Sequence, residues 1–250
     1  MVISSQDFRR KHMSRITRYL AMLAAIAVMI GAASVAQAAP ITFTQLTGLT
    51  GGTIAQTAVY QADLSGLGNI LSITISDNSA GLGGSPGQFS GFDLDAIKIS
   101  SANCADAACA KALVGLNVFD FAGGTLFTPG TQRTPADPKL FGTGPTGTTV
   151  DNSVATLGSF DGEATTAIPG AAGFLSMGDN GVISFNLTSA VGSSPLYLYI
   201  GEVGDNGEVA ASSITVSSSR VPEPASLLLL GTGLMGIAMV AFRRKQQELS

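Results

Sequence analysis

Between two uninterrupted apolar runs near its ends, the chain carries its hydrophobic residues in short, punctuated stretches. These are Ile41 to Leu46, Thr53 to Leu64, Ile70 to Ser76, Phe89 to Ser100, Val118 to Phe121, Val182 to Leu187, Leu196 to Val203 and Ser213 to Ser217. They are rich in Ile, Val, Thr, Tyr and Phe, alternate in part, and are broken by Gly, Asn, Asp or Pro, which is the pattern of short strands joined by turns. Leu71, Ile73 and Ile75 would share one face of a strand, as would Phe92, Leu94 and Ala96, so these residues are expected in the core. Gly123 to Gly173 is poor in strand pattern and rich in Gly, Thr and Pro, and should run as surface loops with weak strands near Val154 to Phe160. Only Ala105 to Val114 reads as helix, and no fixed-period repeat points to a solenoid or propeller. The expected fold is all-β: a single β-sandwich or jelly-roll-like ectodomain over residues 39–220, flanked by a signal-peptide helix and a C-terminal transmembrane helix.

The apolar run at each end has a basic flank. Arg9, Arg10, Lys11, Arg15 and Arg18 precede Leu20 to Ile30, which is too short for an ordinary spanning helix. Ala36 and Ala38 then give the small-x-small pattern of a signal-peptide cleavage site, so residues 1–38 are expected to be removed by signal peptidase before Ala39. Ser226 to Phe242 has no charge, and its 17 residues would span roughly 25 Å as a helix, barely a bilayer. Arg243, Arg244 and Lys245 follow, and the positive-inside tendency leaves them cytoplasmic and the chain before them outside.

Charge separates the ends from the middle. Residues 39–220 hold five of the 13 Lys and Arg and 14 of the 17 acids, a net charge of −9, which argues against nucleic acid or anionic lipid as a partner of this piece. It also holds 27 of the 31 Gly, so turns should be many and long helices few.

The segment 221–245 reads Val-Pro-Glu-Pro-Ala-Ser, an apolar run with Gly231, Gly233 and Gly236, then Arg-Arg-Lys. Pro222, Glu223 and Pro224 in this order before a hydrophobic stretch and a basic stop resemble the PEP-CTERM sorting signal of Gram-negative bacteria. The resemblance covers only about the last tenth of the chain. It implies processing by exosortase, a membrane-embedded cysteine transpeptidase, near the Pro-Glu-Pro motif, and an association with exopolysaccharide and biofilm matrix. The residues suit that role, because two prolines lock φ and remove two backbone donors, so the neck cannot join a sheet and stays extended.

Candidate chemistry in the middle piece is sparse. The only histidine, His12, lies in the signal peptide, so residues 39–220 offer no imidazole for a Ser-His-Asp system or a zinc site. Gly83-Gly84-Ser85-Pro86-Gly87 matches a nucleophile elbow, but Pro86 lacks the N–H that would complete an oxyanion hole, and the run reads as a turn. The G-x-G-x-x-G runs at Gly142 and Gly231 follow no strand or lie in the apolar tail, and neither indicates a nucleotide. Cys104 and Cys109 are the only cysteines, and export favours a disulfide, with Cys104 in a turn before any helix begins.

Acids remain. Asp93 and Asp95 alternate on the face opposite Phe92 and Leu94, while Glu202, Asp205, Asn206 and Glu208 cluster at a strand end. Such oxygens suit Ca²⁺, although the third ligand and the glycine of an EF-hand are missing; the plainer reading is a solvated face and a hairpin turn at Asp205-Asn206-Gly207. No cofactor is required by the sequence. The expected function is an exported, exosortase-processed surface or matrix protein without enzymatic activity; the alternative is a glycan-binding or adhesin module, Ca²⁺-dependent in one version.

Overall fold

The computed structural model describes residues 38–79, 81–163, 173–192, 194–208 and 214–221, with 233, 234 and 237. Ala36, the sorting residues Pro222, Glu223, Pro224, Arg243, Arg244 and Lys245, and nearly all of the two apolar runs lie outside them. No helix among the described residues is long and apolar enough to cross a membrane.

Among the described residues, ten strands run as β1 Ala38–Pro40, β2 Thr44–Gly51, β3 Gln56–Asp63, β4 Ile70–Ser76, β5 Asp93–Ser100, β6 Thr125–Thr128, β7 Leu175–Ser176, β8 Val182–Val191, β9 Tyr197–Val203 and β10 Ile214–Ser217, with short helices α1 Ala107–Ala112 and α2 Asn152–Ala155. They form two five-stranded antiparallel sheets, ordered β1-β10-β4-β8-β6 and β2-β3-β9-β5-β7. Ile73, Ile75, Ile183, Phe185, Ile214 and Val216 of the first sheet pack with Leu94, Ile97, Ile99, Leu198 and Ile200 of the second in one core. Both sheets thus bury one face against the other, the driving force being removal of this apolar surface from water.

Two expected core faces shift at bulges. The β4–β8 register slips between Ile70 and Ser72, so Ile70 rather than Leu71 joins Ile73 and Ile75 in the core. The β5–β9 register slips between Leu94 and Ile97, which sends Ala96 to the opposite face, and Ile97 takes the core position. Among the described residues, Val118 to Phe121 forms a single bridge, Phe119 to Leu187, rather than a ladder, and its rings pack edge-on to Phe185. The weak strand expected at Val154 to Phe160 is instead α2 and a turn. Asp151 accepts from the Ser153 N–H at its start and Thr156 closes it in the left-handed conformation, local bonds that outcompete an extended chain.

The outer face of the second sheet is covered. Leu46, Val59, Ala96 and Tyr199 are packed under Ala107 and Ala110 of α1 and under Phe160. Cys104 and Cys109 are bonded, with Cα atoms 5.5 Å apart, and Cys104 precedes the helix, whose Asp106 cap accepts from the Cys109 N–H at 2.7 Å. The Tyr199 hydroxyl ties this corner together, donating to the Ala102 carbonyl and accepting from the Cys104 N–H.

Register fixes where the chain enters and leaves. Ala38 pairs with Ser217 and Ile75 with Ile214, so the start of β1 and the end of β10 meet at one end of the first sheet. Cleavage before Ala39 would leave the new amino terminus on β1, beside the exit towards the sorting segment.

Candidate functional site

At the opposite end of the same sandwich, acids converge from several elements. Asp77 follows β4, Asp93 opens β5, Asp179 precedes β8, Glu202 lies near the end of β9, and Glu208 follows it. Asp93, Asp95, Glu202 and Glu208 are all buried, Asp95 and Glu202 with no exposure at all. This overturns the expectation of a solvated acidic face: the face of β5 opposite the core is roofed by loops, so its carboxylates are enclosed.

Each acid answers to a different surrounding. Asp95 accepts from the Thr57 hydroxyl at 2.5 Å and from the Gly162 N–H at 3.0 Å, and burial pushes its pKa up to about 7 despite these bonds. Asp93 accepts from the Ser176 hydroxyl at 2.5 Å; burial and the neighbouring Glu208 push it well above the ordinary carboxylate range. Glu202 shares the core-facing side of β9 with Leu198 and Ile200 and stands opposite Leu94. Among the described residues, neither of its carboxyl oxygens has a hydrogen-bond partner, although the Asp205 N–H lies near enough to favour the charge; burial, then Glu208, push its pKa up to about 9. The phenol of Tyr60 is pushed up to about 12 by burial and by Glu202.

Arg133 is the cation that meets this cluster. Its Nε donates to Asp179 Oδ1 at 3.1 Å, one Nη to Glu208 Oε1 at 3.0 Å and the other Nη to the Gly83 carbonyl. Among the described residues Glu208 Oε2 has no partner, and burial lifts the Glu208 pKa to about 7 even against Arg133. The glycine run at 83–87 therefore serves packing: a Cβ at Gly84 would collide with the Glu208 carboxylate, and both Gly83 and Gly84 have positive φ. Asp77 is a backbone organiser, accepting from the N–H groups of Phe92 and Asn180 at 2.9 Å each.

The six acids and amides suggested for Ca²⁺ are not gathered at one point. Asp95 is engaged with Thr57 and Gly162. Asp205 and Asn206 are exposed, Asp205 accepting from Gln45 Nε2 at 3.1 Å. Asp93, Glu202 and Glu208 are electrostatic neighbours. Among the described residues, no three of His, Cys, Asp and Glu are arranged to hold a metal ion. Nor is Asp205-Asn206-Gly207 a hairpin turn, because β9 and β10 lie in different sheets. Arg133, Asp77 and Asp179 were not singled out from sequence. The usable signal was that Arg133 is one of only five cations among 14 acids in residues 39–220, so a buried acid in need of a partner had few choices.

Fold and charge together define an acidic β domain, continued at its carboxy side by a separate short signal. Residues 220–245 match the PEP-CTERM protein-sorting motif, and the chain carries that motif directly after its last strand. The match identifies an exosortase-type sorting segment, which implies export, membrane-associated sorting and processing by exosortase. No curated protein and no solved structure matches the chain.

Proposed function

We propose that this is a non-enzymatic surface or matrix protein: a jelly-roll-like sandwich that is exported, held by Ser226 to Phe242 across a membrane, cut near Pro222–Pro224 and left associated with extracellular polysaccharide. The observation that carries the reading is the sorting match at 220–245, beginning three residues after β10. The strand order supports the jelly roll, since β1-β10-β4-β8 faces β3-β9-β5-β7 with β2 and β6 added at edges. A passive role is supported by the chemistry. Residues 39–220 have no histidine, their two cysteines are joined, and Glu202, the acid with the strongest claim to an unusual protonation state, is sealed from any polymeric substrate.

Fractionating the producing organism tests this. The expected result is the processed domain in the polysaccharide fraction and only unprocessed chain in the membrane. Recovery of the processed domain entirely free in the medium, unassociated with cells or polysaccharide, would remove the matrix role.

A further inference from the structure

The outer face of the first sheet carries polar residues that are buried. On β8, Ile183, Phe185 and Leu187 point into the core, which leaves Ser184 and Asn186 on the other side; on β4, Ser72 and Thr74 stand opposite Asn186 and Ser184. Ser72 is 1% exposed and Asn186 7%. What lies over them is the chain leaving β10. After Ser217 it turns back across the sheet, and the Ser219 carbonyl accepts from the Ser72 hydroxyl at 2.7 Å. Val221 then meets the Asn186 amide on both sides: its N–H donates to Oδ1 at 2.8 Å, and its carbonyl accepts from Nδ2 at 3.1 Å. Arg220 adds a bond from its Nη2 to the Thr188 carbonyl at 3.3 Å.

One side-chain amide thus satisfies both backbone groups of a single residue, as a neighbouring strand would. The residue that follows, Pro222, has no N–H with which to extend this pairing. The sorting match begins at residue 220, so the clamp grips its first two positions. Five residue steps, at most about 18 Å of extended chain, separate Val221 from Ser226.

We propose that Asn186, supported by Ser72, is a positioning residue that sets the upstream limit of the cleavable neck. The chain through Val221 is held as part of the folded sandwich, and only Pro222 onward is open to a processing enzyme. This rests on the reading of the chain as an exosortase substrate, but the clamp itself can be tested without the enzyme.

The test uses full-length protein in detergent and trypsin. Arg220 is exposed as a side chain, yet its peptide bond to Val221 is held, and a protease must wait for local opening. Asn186→Ala should speed cleavage after Arg220 by about tenfold or more, as expected for losing two hydrogen bonds. Asn186→Asp, which keeps the acceptor and loses the donor, should fall between. Ser184→Ala, which touches Thr74 Oγ and not the neck, should leave the rate unchanged. Global unfolding would instead open the peptide bonds after Lys98, Lys111, Arg133 and Lys139 together, so selective cleavage at Arg220 marks the clamp. Equal rates at Arg220 in wild type and Asn186→Ala would overturn it.

In the producing organism, wild-type termini should fall after Val221, and those of Asn186→Ala should spread upstream into residues 217–221. Identical termini in the two would overturn the positioning role. A wild-type chain that is never cut would overturn the sorting reading, while the trypsin ratio judges the clamp by itself.

Discussion

A chain carrying Pro222→Ala, Glu223→Ala and Pro224→Ala together accumulates in the membrane with its apolar tail attached, and its processed form falls by roughly a hundredfold or more, the scale lost when an enzyme site meets a substrate stripped of the groups it recognises. Two physical changes act at once. Alanine restores two backbone donors and frees φ, so the neck can leave the extended shape that the prolines impose. It also removes the single negative charge between the folded domain and the apolar run. The sandwich ends at Val221 through the Asn186 bonds, so its stability should not move. Immunoblotting of membrane and surface fractions, with a melting curve of each purified chain, separates the loss of processing from any loss of folding. Undiminished processing of the triple variant would contradict the motif's role.

The second large effect is on stability against pH. Asp93, Asp95, Glu202 and Glu208 all have carboxyls raised by burial, to about 7 for Asp95 and Glu208 and about 9 for Glu202. A group whose folded pKa lies above its unfolded value holds its proton more tightly in the native state. Its contribution is complete below the unfolded value, near 4, and is lost as pH rises through the folded one. The melting temperature should therefore be highest near pH 4 to 5 and fall steadily to pH 9, by at least about 5 °C for a chain of this size. Asp63 and Glu163 are shifted the other way by hydrogen bonds, but Asp63 is exposed and Glu163 lies at the surface only partly covered, so they weigh little. Glu202→Gln should flatten the alkaline part of the curve, because the amide has no proton to lose. A melting temperature that rises between pH 5 and 9, or a Glu202→Gln curve parallel to wild type, would contradict the buried-acid account.

Much of the fold could be read from the chain because strands of this kind write themselves in alternation. Ile70 to Ser76 has the same limits in sequence and structure, and β8, β9 and β10 begin within a residue of their expected starts. What escaped were features that alternation cannot encode. β6 and β7 are short edge strands of four and two residues, too brief to show a period. The bulges at Ile70 to Ser72 and Leu94 to Ile97 shift faces without changing composition. The acids were legible as residues but not as a buried cluster, since Asp93-Leu94-Asp95 alternates whether its outer face meets water or a roof of loops from residues 156–163 and 173–181. Arg133 reaches Glu208 and Asp179 across long sequence separations that no local pattern reports. Asn186 was invisible for the same reason: a polar position on a strand's outer face looks solvated until another segment lies over it. The sorting segment was the reverse case, fully legible because its chemistry is local and its order fixed.

One measurement reaches the central claim directly: the intact mass of the protein recovered from the surface of the producing organism. The account predicts an amino terminus at Ala39, a carboxy terminus beyond Val221 and before the apolar run, and a mass two hydrogen atoms lower for the Cys104–Cys109 bond. A mass corresponding to Met1 through Ser250, with neither end removed, would contradict it.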